Sequence, residues 1–149
     1  MESSNQNTAE KLNDLIIIAE DGKEGYENAA KNLKDAAIKS SFLLYAHDRS
    51  VYASQLREIV HQLHGEAENN GGDIKGSMHR VWIDVKSAFT GGDVDAIINA
   101  CITGEEAAVK EYKLVLNDTL IPESCKPLIK EQLHGIEQAL SSIKSHVHK

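Results

Sequence analysis

Proline is nearly absent from this chain, and that absence does most to restrict its fold. Only two of the 149 residues are proline, and both lie between Ile121 and Leu128. Because proline interrupts helices, the remaining sequence is free to form long ones. Apolar residues recur at helical spacing through four long segments, and no useful stretch alternates as a β-strand does. The pattern therefore predicts an all-α protein.

Signals for helix starts divide the chain into one domain with a short tail. Asp35 and Asp93 are suitable N-cap residues, and Pro122 suits a first helical turn. We predict a disordered tail over residues 1–8 and a single domain over residues 9–149. Within that domain the pattern predicts four long helices, at about residues 9–33, 35–64, 93–117 and 122–147.

The connections between these helices indicate how they are arranged. Short joins make the first and second helices antiparallel neighbours, and likewise the third and fourth. The crossover, Gly65 to Gly92, begins with the loop-like cluster GEAENNGGD and then predicts a short amphipathic helix at about residues 76–90. Two antiparallel hairpins joined by one long crossover are the connectivity of a ferritin-like four-helix bundle.

Charge and composition exclude several classes of function. The formal net charge is −7, with acidic residues spread along the chain and no basic stripe. We therefore expect binding neither to nucleic acid nor to an anionic membrane. The longest apolar run, Leu15 to Ala19, is too short to span a bilayer. With a polar N-terminus and only two cysteines, Cys101 and Cys125, the sequence predicts a cytoplasmic protein with reduced thiols.

Two Glu-x-x-His pairs raise the question of a di-metal centre. Glu58 with His61 and Glu131 with His134 have the spacing by which ferritin-like helices hold two metals, and Glu105 could add a carboxylate. This is the alternative hypothesis, a site for two iron or manganese ions. However, successive side chains rotate by about 100° around a helix, so both pairs point about 150° away from the apolar stripes. We therefore expect no metal and no other cofactor.

The predicted core contains charged residues. Arg49 lies on the inward stripe of the second helix, and Glu105 lies at the matching level of the third. Because an isolated buried charge is very costly, we predict an ion pair in place of a metal centre. The alternative is that one side chain reaches solvent along its stem. Four tyrosines on inward stripes could donate hydrogen bonds to Glu105: Tyr26, Tyr45, Tyr52 and Tyr112.

Two further features could mark contacts with a partner. In the crossover helix, His79, Arg80 and Asp84 lie opposite Trp82, which we interpret as a core residue. Arg80 and Asp84 are one turn apart, so they could pair with each other or dock onto a partner. Ile17 points away from the apolar stripe of the first helix. Either the crossover helix or a second copy in a homodimer could cover it.

Several stretches together resemble a bacterial family of ferritin-like four-helix-bundle proteins that is catalogued as a domain of unknown function. They are LNDLI and EDGKEGYENAA in the first helix, GSMHRVWIDVK in the crossover and CITGEEAAVKEY in the third helix. The resemblance extends from about Thr8 to Lys144. It implies the fold, a bacterial cytosolic setting and a stress-related role, but no reaction. In that family an acidic residue is usual at the position of Gln55.

These observations favour a non-catalytic protein with a structural or interaction role. The sequence shows no nucleophile–base pair and no phosphate-binding glycine loop that would support another enzyme class. The alternative is a di-iron or di-manganese carboxylate protein with oxidase or iron-storage activity. The partner is not identified by the sequence, although a homodimer is one possibility.

Overall fold

The computed structural model of the chain describes residues 2–63 and 93–147. These residues form four helices and no strand, which confirms the all-α prediction for this part of the chain. The helices are α1 (Glu2–Lys31), α2 (Ala36–Gln62), α3 (Val94–Leu116) and α4 (Lys126–Val147). The crossover helix predicted at residues 76–90 lies outside the described residues. None of the four helices is both long and apolar enough to cross a membrane.

The helices pack as two sequential pairs. α1 lies along α2, α3 lies along α4, and α1 also packs against α3. The apolar residues between them form one continuous core, in which Tyr26, Phe42 and Tyr112 are the largest fully buried side chains. This arrangement is consistent with a four-helix bundle.

Aspartate side chains begin two of the helices, as the sequence predicts. The carboxylate of Asp35 accepts hydrogen bonds from the backbone N–H groups of Ala37 and Ile38. Asp93 accepts one from the N–H of Asp95. Each carboxylate satisfies backbone donors that have no partner within the helix. Both predicted caps are therefore confirmed.

Two helix boundaries differ from the sequence-based expectation. α1 begins at Glu2, within the predicted tail, because residues 2–8 contain no proline or glycine and the hydroxyl of Thr8 donates a 2.7 Å hydrogen bond to the carbonyl of Leu120. α4 begins at Lys126 rather than near Pro122. The residues before it form short turns instead, in which the N–H of Cys125 bonds to the carbonyl of Pro122.

The middle of α1 is buried on every side. All eight residues from Leu12 to Ala19 are buried, including the polar Asn13 and Asp14. Ile17, which the helical pattern places off the apolar stripe, is only 7% exposed within this single chain. A dimer contact through Ile17 is therefore not needed to cover it.

Candidate functional site

Two oppositely charged side chains meet in the core between α2 and α3. Arg49 comes from the middle of α2 and is 3% exposed, while Glu105 comes from the middle of α3 and is 1% exposed. Nη2 of Arg49 donates a hydrogen bond to Oε2 of Glu105. Neither side chain reaches solvent, so the structure contains the ion pair and not the alternative in which one charge leans outward.

Aromatic rings surround the guanidinium group. The rings of Tyr26 and Tyr52 each lie 5.6 Å from Cζ of Arg49, within the range of a cation–π interaction. Tyr26 also packs edge-on against Phe42 and Tyr45, with ring centroids 5.3 Å and 5.4 Å away. Tyr45 therefore contributes to the cluster through its contact with Tyr26.

A glutamine completes the polar cluster from α4. The hydroxyl of Tyr112 donates a 2.8 Å hydrogen bond to Oε1 of Gln132, which is 1% exposed. Nε2 of Gln132 donates in turn to Oε1 of Gln55 at 3.0 Å and to the carbonyl of Tyr52 at 3.3 Å. Tyr112 thus donates to an amide, not to Glu105 as the sequence suggested. The carboxylate of Glu105 interacts instead with the hydroxyl of Tyr26.

Sequence reasoning missed Gln132, although one signal was present. Gln132 follows Ile129 by three residues and precedes Ile136 by four, so it shares their inward face on α4. An amide at such a position needs partners once it is buried. Its three hydrogen bonds supply them and join α2, α3 and α4.

Burial and the ion pair together set the electrostatics of this cluster. Burial raises the pKa of Glu105, while the nearby Arg49 and Tyr26 oppose that rise. Burial acts to lower the pKa of Arg49, but Glu105 and Tyr26 raise it above its usual value, so this guanidinium stays charged. The pKa of the Cys101 thiol is raised by burial and by the charge of Glu105. Cys101 is therefore unsuited to act as a nucleophile.

The residues of the di-metal alternative do not come together. Glu58, His61, Glu131 and His134 are all exposed, and only Glu105 lies in the core. Residues 8–63 and 93–146, whose side chains are described, contain no group of three or more His, Cys, Asp or Glu side chains that could hold a metal ion. The four exposed side chains lie at the surface, whereas Glu105 lies in the core.

A surface groove separates α2 from α4 beside the cluster. We call it the α2–α4 groove; it has a volume of about 350 Å³, and its lining residues are Val51, Tyr52, Gln55, Glu131, Gln132, His134, Gly135 and Gln138. Gly135 makes room for the Tyr52 ring, since a Cβ atom there would lie 2.1 Å from the tyrosine hydroxyl oxygen. The predicted crossover residues His79, Arg80, Trp82 and Asp84 lie outside the described residues.

Comparison with known proteins gives a family but no activity. The sequence profile of a family described as a domain of unknown function, DUF2383, matches residues 7–118. No curated protein matches the chain. The matched range includes Arg49, Glu105 and all four tyrosines of the cluster, whereas Gln132 lies beyond it.

Proposed function

Since the chain belongs to the DUF2383 family, whose function is unknown, we propose a function from its own residues. We propose that it is a non-catalytic protein of the bacterial cytoplasm with a ferritin-like fold and a stress-related structural or interaction role. In this proposal the Arg49–Glu105 pair takes the place of a metal centre. Its contribution is a fixed pair of charges that holds the bundle in one arrangement.

The buried ion pair is the observation that carries this proposal. A di-metal centre in a ferritin-like bundle needs an inward carboxylate from each of the four helices and an inward histidine from two of them. Here α2 offers the cation Arg49 at the centre of the core, and α4 offers the neutral amide of Gln132. A permanent guanidinium charge beside Glu105 repels a metal cation, because a low-dielectric core screens that repulsion only weakly.

The chemistry of the cluster also supports a non-catalytic role. Arg49 and Glu105 neutralise each other, and the amide of Gln132 is engaged by Tyr112, Tyr52 and Gln55. Burial raises the pKa of the Cys101 thiol and of the Tyr26 and Tyr112 hydroxyls, which keeps these groups protonated at neutral pH. Such groups specify packing rather than attack a substrate.

Metal loading tests this proposal directly. Purified protein is incubated with iron, manganese or zinc, freed of excess metal and analysed for bound metal per chain. We expect no stoichiometric binding. Two metals per chain, lost in a Glu105→Gln variant that remains folded, would overturn the proposal in favour of a di-metal carboxylate protein. The exposed His47 is not among the residues of the di-metal alternative, so His47→Gln serves as the matched control for metal bound at the surface.

A further inference from the structure

The two helical hairpins of the bundle are joined unequally on their two sides. On one side α1 and α3 approach each other closely. The N-terminal part of α1 is also fastened to the residues after α3, through the hydrogen bond from Thr8 to Leu120 and an ion pair of 3.6 Å between Lys11 and Asp118. On the other side, the backbones of α2 and α4 hardly approach each other along the described helices, and the α2–α4 groove lies between them.

Polar contacts join α2 to α4 across this groove, and we call them the α2–α4 seam. Nε2 of Gln132 donates to Oε1 of Gln55 and to the carbonyl of Tyr52, and the Tyr52 hydroxyl lies against Gly135. Each of these groups can exchange its partner for water, so separating the two helices there gives up little free energy. The interiors of the hairpins differ, because apolar side chains fill them and their exposure to water is costly.

The buried ion pair also lies between the two hairpins. Arg49 belongs to the α1–α2 hairpin and Glu105 to the α3–α4 hairpin. Both charges gave up their hydration on entering the core, and separation of the hairpins would restore it. The returning water therefore offsets part of the attraction that is lost. Cys101 lies one turn before Glu105 on α3 and is fully buried, so its thiol can report the entry of solvent.

We propose that the α2–α4 seam is a gate to the core. The hairpins separate there and turn about the contact between α1 and α3, while α1 stays packed on α2 and α3 on α4. The open form admits water and small solutes to Arg49, Glu105 and Cys101. Openings of this kind occur where few apolar contacts hold two elements together, and they need less free energy than global unfolding. This inference goes beyond the proposed function, because it concerns access to the core and not what the core binds.

Thiol labelling of Cys101 tests the gate in the full chain. Cys125→Ala leaves Cys101 as the single cysteine, and the aromatic disulfide reagent DTNB at pH 8 reacts with it only where solvent reaches it. We expect labelling without urea to be at least about 10-fold faster than global unfolding allows, and to depend less steeply on urea, since the open form exposes less surface. Labelling with the rate and urea dependence of global unfolding would overturn the proposal.

Variants on the two sides of this comparison locate the opening. Gly135→Ala places a Cβ atom against the Tyr52 hydroxyl across the seam, so it disfavours the closed form alone. It should raise the labelling rate of Cys101 about 10-fold, and adding Tyr52→Phe should reverse most of that rise. Phe42→Leu is the matched control, because it weakens a contact with Tyr26 inside the α1–α2 hairpin that the open form keeps. It should promote global unfolding and leave the labelling rate without urea nearly unchanged.

Circular dichroism shows which variants are folded. An unchanged labelling rate in folded Gly135→Ala, or an equal acceleration by Phe42→Leu, would overturn the proposal. If Gly135→Ala does not fold, the urea dependence of labelling in the Cys125→Ala chain still decides between a gate and global unfolding.

Discussion

Replacing Arg49 by methionine should leave the carboxylate of Glu105 in the core without its counter-ion. Because burial already raises the pKa of Glu105 while Arg49 opposes that rise, we expect the carboxyl group of the variant to bind a proton at neutral pH. The folded variant is then destabilised by the free energy needed to keep that proton on Glu105. Relative to an ordinary pKa of 4.5 in the unfolded chain, holding that proton at pH 7 costs about 3.4 kcal/mol.

This mechanism predicts a dependence on pH as well as a magnitude. Burial already raises the pKa of Glu105 in the unmutated protein, and it should rise further in the variant because Arg49 no longer opposes that rise. Between those two pKa values the folded variant binds one proton more than the folded unmutated protein. Over that range the free energy of unfolding of the variant should therefore fall by about 1.4 kcal/mol per pH unit as pH rises, relative to the unmutated protein. Arg49→Met should consequently cost less near pH 5 than the about 3–5 kcal/mol expected at pH 7.

The reverse substitution should behave differently. In Glu105→Gln the buried guanidinium cannot escape by losing a proton, because an arginine remains charged at any accessible pH. We expect a loss of about 3–5 kcal/mol that hardly varies between pH 5 and 8. The double variant, Arg49→Met with Glu105→Leu, should recover much of the loss, since no buried charge remains. The double-mutant cycle should therefore show strong coupling.

Urea unfolding followed by circular dichroism at several pH values provides all of these free energies. Subtracting the unfolding free energy of the unmutated protein at each pH removes the contributions of other titrating groups. A cost of Arg49→Met that is the same at pH 5 and pH 7 would refute the protonation argument. Additive effects below about 1 kcal/mol for both single variants would show that the two charges are not energetically coupled in the core.

Three further variants test other parts of the site by urea unfolding. Gly135→Ala should destabilise the fold by about 1–3 kcal/mol despite better helix propensity, because the new Cβ meets the Tyr52 hydroxyl; adding Tyr52→Phe should recover most of this loss. Gln132→Leu should cost about 1–3 kcal/mol by leaving the Tyr112 hydroxyl without its acceptor, and adding Tyr112→Phe should reduce that cost. The third variant replaces four exposed residues together by Gln: Glu58, His61, Glu131 and His134. The free energy of unfolding should change by no more than about 0.5 kcal/mol per position. A loss of several kcal/mol, or a metal-dependent rise in melting temperature seen only in the unmutated protein, would contradict this.

Features set by neighbouring residues in the sequence were predictable. The caps at Asp35 and Asp93 are local, since each carboxylate bonds N–H groups two or three residues further on. The contact between Arg49 and Glu105 could also be anticipated. A charge on an inward stripe needs a partner, and few residues at that level could provide one.

Features that depend on distant contacts were not predictable in the same way. The N-terminal part of α1 appears in the sequence as a polar tail, yet Thr8 bonds to Leu120, 112 residues away. The role of Gln132 was missed because a neutral amide on an inward face gives a weaker signal than a charge. The burial of Ile17 was also not predictable from a single apolar stripe. Other parts of the chain cover α1 on more sides than that stripe.

The continuous burial of α1 from Leu12 to Ala19 has a consequence for how the sequence can evolve. On an amphipathic helix such as α4, tolerance to substitution follows the helical period, and each inward position is followed by permissive ones. Residues 12–19 include no such permissive position, because packed atoms surround the helix in every direction around its axis. Variation that accumulates freely on the outer sides of α2 and α4 should therefore stop abruptly across these two turns, where even the polar Asn13 and Asp14 are held in place.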